Sequence, residues 1–255
     1  MSIKNDLEIK DILKYHKEGW LGPFDLMNES KMSTIKDKIY SEIIDPGRLT
    51  NKNEADYLHN RHLDNKTIWD LCSNKKLIKK VNCLFGKDLI CFRSNLQFKK
   101  SEINFKKGEG EFGKVPWHQD SAYYTLLPNL AITGWIAITD SNINNGCLRI
   151  IPSSHLNKIP HDENKNLKSF DKKANNNFFD INNSIDIELK AGQFILFNVN
   201  LLHSSNKNMS GLPRLGLSPR ITTPYVFFPE WETTKVLILS GKDYLKHYKV
   251  AKIPK

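Results

Sequence analysis

"KKLIKKVNCLFGKDLICFRSNLQFK", Lys75 to Lys99, changes its hydrophobic period halfway along. Up to Phe85 the apolar residues (Leu77, Ile78, Val81, Leu84, Phe85) recur at three- and four-residue intervals, the stripe of an amphipathic helix. Gly86 supplies a stop, and from Leu89 onward apolar and polar residues alternate, as on a strand with two different faces. Upstream of this switch the chain reads as helical over residues 3–18, 29–45 and 53–85. The second helix has Asn28 and Ser30 as candidate caps and a stop before Pro46-Gly47.

Downstream, "LICFRSNLQF", "AITGWIAIT", "GCLRII", "GQFILFNV" and "PRLGLSPRI" are short β-branched or aromatic runs separated by turn residues, and Asn145-Gly146 is a hairpin signal. The polar, Asn/Lys-rich segment 156–184 reads as a surface loop, because strands resume directly after it. The expectation is one α+β domain over 1–255: a helical part over about 1–88, a β core over about 89–225 and a C-terminal extension, 226–255. From the residues alone that core is an antiparallel sandwich or open barrel with the helices packed on it.

Composition narrows the function classes. With 39% hydrophobic and 10% aromatic residues, a chain of 255 residues can bury a sizeable core. The first twenty residues are charged throughout, without an apolar leader core, and no run reaches membrane-span length, so a soluble, cytoplasmic protein is expected with no membrane partner. Four cysteines (Cys72, Cys83, Cys91, Cys147) form no CxxC unit and read as reduced core thiols. The net charge of +10 comes from scattered lysines mixed with asparagine, not from an arginine-rich stripe, so nucleic acid is not the expected partner; a small molecule is.

"VPWHQDSAYY", Val115 to Tyr124, places His118 and Asp120 on one face of an extended stretch. An imidazole and a carboxylate aimed at one point are either a hydrogen-bonded pair or two-thirds of a metal site. A second HxD, His62-Leu63-Asp64, lies in helical or loop context where i and i+2 do not share a face. Of the other histidines only His203 follows a long apolar run, "FILFNVNLLH", while His155 and His161 flank the polar segment and read as surface residues. His118, Asp120 and His203 together would form the 2-His-1-carboxylate triad that suits non-haem Fe(II) and leaves coordination positions open. Arg214, eleven residues after His203, could hold a dicarboxylate through a bidentate ion pair.

Two further strands carry polar residues on one face only. Arg93, Asn95, Gln97 and Lys99 alternate with apolar or small residues in one, and Arg214, Gly216, Ser218 and Arg220 in the other. A sheet wet on one face alternates in the same way without any site. These faces, however, are rich in arginine and amide groups, and Gly216 and Ser218 leave room for something bound.

With these residues in view, "WHQDSAYYTLLP", "ITGWIAITDSNINNGCLRIIPSSH" and "GQFILFNVNLLHSSNKNMSGLPRLGL" resemble the phytanoyl-CoA dioxygenase family of Fe(II)/2-oxoglutarate oxygenases, whose relatives include ectoine hydroxylase and non-haem halogenases. The resemblance covers roughly residues 15–225 and departs at "IPSSH", where the family usually has Pro-Gly-Ser-His. It implies a double-stranded β-helix (jelly roll) with helices on one side. It also implies Fe(II) on His118, Asp120 and His203, and 2-oxoglutarate and O2 as cosubstrates. Arg214 would clamp the distal carboxylate, with Ser205, Trp135 and Gln97 lining the same pocket. The reaction implied is hydroxylation with release of succinate and CO2. Halogenating relatives carry Ala or Gly where Asp120 stands, so the carboxylate favours hydroxylation, or a desaturation or cyclisation begun by the same hydrogen abstraction.

Arg93, Asn95 and Arg220 then remain for a small anionic or zwitterionic substrate (an amino acid, carboxylate or phosphonate), with Tyr123 and Tyr124 as an aromatic wall. The plainer reading is that either arginine pairs with a buried acid. A metal-binding β-barrel that does not use 2-oxoglutarate, acting as a hydrolase or sensor, is the reading from another class.

Overall fold

The computed structural model describes residues 7–50, 54–101, 103, 113–164, 170–229 and 234–255. Helix α1, Ile9–Glu18, ends at Gly19, whose φ of 82° turns the chain and where a Cβ would strike the His155 ring. Between the first two predicted helices, within the part expected to form the helical layer, the chain contributes a strand, β1 (Trp20–Asp25). Helix α2, Glu29–Ile39, is capped as expected: the Asn28 side chain accepts the Lys31 N–H at 2.9 Å.

That helix does not stop before Pro46. It passes through a π-helical turn, Tyr40–Ile44, into α3, Asp45–Arg48, and the Asp45 N–H reaches back to the Tyr40 carbonyl. The wider turn lets the helix carry on past a residue that has no donor and whose ring would crowd a regular helix. The third predicted helical region resolves into α4 (Glu54–Leu58), a 3-10 turn (Arg61–Leu63), α5 (Lys66–Cys72) and α6 (Lys75–Phe85), which stops at Gly86 as predicted.

Twelve more strands follow among the described residues: β2 (Leu89–Lys99), β3 (Val115–His118), β4 (Ile132–Ala137), β5 (Leu148–Ile150), β6 (His161–Glu163), β7 (Lys172–Ala174), β8 (Ile185–Ile187), β9 (Gln193–Asn198), β10 (His203–Ser205), β11 (Arg214–Thr222), β12 (Lys235–Ser240) and β13 (Lys249–Val250). They build a seven-stranded sheet in the order β1-β9-β4-β11-β2-β12-β13 and a four-stranded sheet in the order β3-β10-β5-β8. Within both sheets every pair is antiparallel except β12–β13. This is the jelly roll expected, with two extensions: β1 joins one edge of the large sheet, and β12, from the predicted C-terminal extension, pairs with β2 near the other.

Two layers of core hold the sheets. Leu96, Ile132, Ile136, Phe194, Leu196, Leu215 and Leu217 turn outward from the large sheet onto helical residues such as Met32, Ile39, Ile68, Leu71 and Leu77. Trp135, Ala137, Ile195 and Phe197 turn inward against Leu148, Ile150, Ile187 and Leu201. Strand β11 is buried at every position because it is covered on both faces. Among the described residues no helix is long and apolar enough to cross a membrane. The cysteines are free, three of them buried.

Two local expectations fail. Asn145-Gly146 makes no two-residue hairpin. Asn145 closes a 3-10 turn and Gly146, with φ 72°, carries the chain from β4 in one sheet to β5 in the other. The segment 156–184 is not merely a surface loop: β6 and β7 form a hairpin within it, and Ile159, Ala174 and Phe179 pack on Trp117, Ile151 and Leu202. It covers the outer side of the small sheet, where the apolar residues of β3 and the chain around β10 would otherwise face water.

Candidate active site

Strand β3 ends on His118 and β10 begins on His203, and the two are Cα partners in the small sheet. Gln119 stays extended, so Asp120, the first residue of a 3-10 turn, returns to the face of His118. The two imidazole centroids lie 4.1 Å apart. Each Nε2 is 3.9 Å from Asp120 Oδ1, and one ligand atom from each of the three residues falls within 4.8 Å of the others.

Each ring donates its Nδ1–H to the carbonyl two residues back in its own chain, His118 to Pro116 (2.8 Å) and His203 to Leu201 (2.9 Å). That leaves both Nε2 lone pairs aimed at the centre. Burial, then His203, holds His118 down to about 3, and burial lowers His203 as well, so both rings are neutral ligands at pH 7. Burial alone would push the Asp120 carboxyl up; Arg220 and His203 more than offset it and keep it ionised. Two neutral imidazoles and one carboxylate, all buried, fit a first-row divalent cation, whose bonds of about 2.0–2.2 Å span donors about 3–4 Å apart.

Asp120 is held from the large sheet. Arg220 Nε and Nη2 donate to its two oxygens at 3.1 and 3.0 Å, and the Thr133 hydroxyl donates to Oδ2 at 3.0 Å. Arg220 was expected to face substrate. It grips the metal-ligand carboxylate instead, the plainer of the two readings, since a buried guanidinium goes to the nearest unmatched acid.

The polar stripes of β2 and β11 prove to be one surface. Arg93 pairs with Arg220, Asn95 with Ser218, Gln97 with Gly216 and Lys99 with Arg214, so all eight residues share the inner face. At one end Arg214 is 4% exposed, its guanidinium lies 5.3 Å over the Trp135 ring, and its Nε has no hydrogen-bond partner among the described residues. Burial pulls it down to about 10, which still leaves it charged at pH 7. Ser205 sits at this end and accepts from Lys99 Nζ at 2.7 Å. The room left by Gly216 is taken by the Trp135 indole, which a Cβ at 216 would strike, so this glycine serves packing rather than a ligand.

Of the remaining predicted residues, Asn95 is 8% exposed, its Oδ1 and Arg93 Nε are shielded with no partner among the described residues, and the Tyr124 hydroxyl lies against the Arg220 guanidinium. Tyr123 does not offer its hydroxyl to the pocket; it donates to the Lys172 carbonyl at 2.6 Å while its ring lies edge-on to His118 at 5.5 Å. The second HxD is split: buried His62 bonds the Ser94 hydroxyl on the helical side, and Asp64 pairs with Arg61 near the surface.

Several participants carry no clear signal in the sequence. Alternation puts Lys99 on the stripe without marking a role for it. Thr133 had no motif to mark it. His161, expected at the surface, accepts the Gln119 N–H through Nε2 at 3.0 Å, and the Phe170 ring lies 5.2 Å from that of His118. The buried Gln119 side chain in turn bonds Asn157 O, Asn200 O and Ile159 N, stitching the segment over the small sheet to the turn between two ligands.

The phytanoyl-CoA dioxygenase (PhyH) family matches residues 15–216, more than half of the chain. Similar curated proteins include peroxisomal phytanoyl-CoA dioxygenase of Bos taurus, 26% identical over 58% of this chain and 43% of that protein. The phytanoyl-CoA dioxygenase of Arabidopsis thaliana is 34% identical over 40% and 36%. The matched part thus spans less than half the length of these relatives. Among solved structures, the apo form of the non-heme monooxygenase ThoJ superposes with a TM-score of 0.79 at 20% identity, covering 96% of this chain and 88% of that one. CytC3 with Fe(II) and alpha-ketoglutarate gives 0.72 at 21%, covering 97% and 93%. At such identities the likeness is one of fold, and the shared fold is that of these oxygenases.

Proposed function

The chain belongs to the phytanoyl-CoA dioxygenase family, and on that premise we propose that it is an Fe(II)- and 2-oxoglutarate-dependent dioxygenase. Its reaction is hydroxylation of a small anionic or zwitterionic metabolite, with release of succinate and CO2. The observation that carries this reading is the buried Arg214. A guanidinium withdrawn from water without a carboxylate partner among the described residues is costly unless an anion joins it, and its cross-strand partner Lys99 reaches Ser205, two residues after the metal-ligand candidate His203.

His118, Asp120 and His203 would hold the metal, and Arg214, with Ser205 and Lys99, the distal carboxylate of 2-oxoglutarate, flanked by Trp135 and Gln97. Iron with 2-oxoglutarate and O2 supplies the oxidising power to break a substrate C–H bond. The residues of this chain do the rest. Arg220 and Thr133 fix the Asp120 carboxylate, the backbone carbonyls fix both imidazoles, and Phe170 and Tyr123 keep water from the exposed side of His118.

The test is an anaerobic titration of the metal-free protein with Fe(II) and 2-oxoglutarate, following the weak visible charge-transfer band of the chelate. The band should form, and Arg214→Ala should weaken it. A metal-loaded protein that gives no band on adding 2-oxoglutarate would overturn the proposal.

A further inference from the structure

On the inner face, at the end of the stripe away from Arg214, Arg93 Nε and Asn95 Oδ1 are shielded from solvent and bonded to nothing among the described residues, while the Tyr124 hydroxyl lies against the Arg220 guanidinium. Arg93 and Arg220 are Cα partners, so two guanidiniums stand side by side on neighbouring strands. Among the described residues one carboxylate, Asp120, serves them, and it is bound by Arg220; no described acid forms an ion pair with Arg93.

A third nitrogen base joins them from outside the jelly roll. Beyond the end of α4, His59 forms an antiparallel bridge with Asn95, and the Asn60 N–H bonds the Ser94 carbonyl. Bridge partners share a face, so His59 lies beside Asn95 on the inner side. Burial, with Arg93 and Arg220 nearby, keeps His59 down at about 4, hence neutral at pH 7 and able to hydrogen-bond without adding charge.

We propose that His59, Arg93, Asn95 and Tyr124 form the substrate anchor, and that the substrate is a small carboxylic acid carrying a hydrogen-bond donor, hydroxyl or ammonium, on the carbon next to the carboxylate. The inference rests on the oxygenase reading and names the substrate class for that site. The carboxylate answers the unmatched charge of Arg93, assisted by the Tyr124 hydroxyl. The neighbouring donor answers Asn95 Oδ1, an acceptor that a plain fatty acid would leave bare. Arg93 lies one strand, about 4.8 Å, beyond the arginine that grips Asp120. A carboxylate held there brings its nearby chain carbons over the metal ligands.

The experiment uses the full chain loaded with Ni(II) and 2-oxoglutarate, titrated by calorimetry with acids of three to six carbons in three forms: unsubstituted, 2-hydroxy and 2-amino. The primary amides of the substituted acids serve as uncharged counterparts. One substituted series should bind at least tenfold more tightly than the unsubstituted acids and than its own amides, and which series does so identifies the donor. Arg93→Gln should weaken that binding at least tenfold and His59→Gln severalfold, with Ni(II) and 2-oxoglutarate affinities unchanged.

Equal binding of acid and amide, no binding by any acid, or wild-type affinity in Arg93→Gln overturns the proposal. The comparison of acid with amide uses wild-type protein and decides the matter even if a variant fails to fold. Failure of 2-oxoglutarate to bind is read separately and sinks the oxygenase reading; the acid titrations are then repeated on the metal-free protein, because 2-hydroxy and 2-amino acids chelate Ni(II) when its open positions are not filled.

Discussion

Arg214 and Arg220 lie on one face of one strand, six residues or about 20 Å apart, and both are more than nine-tenths buried, yet they live opposite lives. Arg220 spends two donors on Asp120 and is pushed to a still higher pKa by that partner despite its burial. Arg214 has no acid among the described residues and is pulled down by burial. A buried charge with its counter-ion in place is part of the scaffold. A buried charge without one is a receptor, which the protein maintains at a cost in stability.

The contrast is sharpest in variants of opposite sign. Arg220→Met strands the Asp120 carboxylate in the interior, so the metal-free protein should lose about 3–5 kcal/mol in urea or guanidinium unfolding. A loss under about 1 kcal/mol would mean that the ion pair is not structural. Arg214→Met removes a charge that no described acid neutralises. It should leave unfolding stability equal or higher while raising the KM for 2-oxoglutarate on the order of 100-fold, about 2.7 kcal/mol of binding. A stability loss like that of Arg220→Met would erase the distinction between the two ends.

Gln119→Ala tests whether the segment over the small sheet belongs to the site. Three bonded backbone groups lose their partner, which should cost about 1–3 kcal/mol. It should also increase cosubstrate consumption relative to hydroxylated product, measured as the ratio of succinate to product. A smaller effect comes from protons. His59 and His118 have folded values lowered to about 4 and about 3, so an unfolded chain takes up protons near 6.5 that the folded one refuses. Their stabilising contribution is complete above pH 6.5 and is lost as pH falls toward 4, so the melting temperature of metal-free protein should drop between pH 7 and pH 5. A flat profile would place both rings in a wetter setting.

Much of this was legible in the sequence because short-range periodicity carried it. The switch at Leu89, the cap at Asn28, the stop at Gly86 and the alternation along β2 and β11 are local rules, and they placed the helices, the strands and the inward face. What alternation cannot name is the partner across the barrel. Arg220 was correctly turned inward, but its acid is 100 residues away in sequence. Strand β1 hid because "WLGPFD" contains a Gly-Pro pair that reads as a turn. The helix through Pro46 hid because a π turn leaves no mark on hydropathy. His161 and Phe170 hid in an Asn/Lys-rich stretch whose composition says surface; they approach the site because Gln119 anchors the segment that carries His161, and a side-chain network of that kind has no period.

The two imidazoles are each fastened by the carbonyl two residues back, whereas the carboxylate between them is fastened by Thr133 and Arg220 from two strands of the opposite sheet. The ligand set therefore has two different evolutionary freedoms. Either histidine can be inherited as a short, portable segment. The loss of the aspartate leaves a guanidinium stranded in the interior unless another anion takes the place of the carboxylate. Wherever a lineage trades the carboxylate for a small side chain, either the arginine should be gone as well or an exogenous anion should occupy the vacated position.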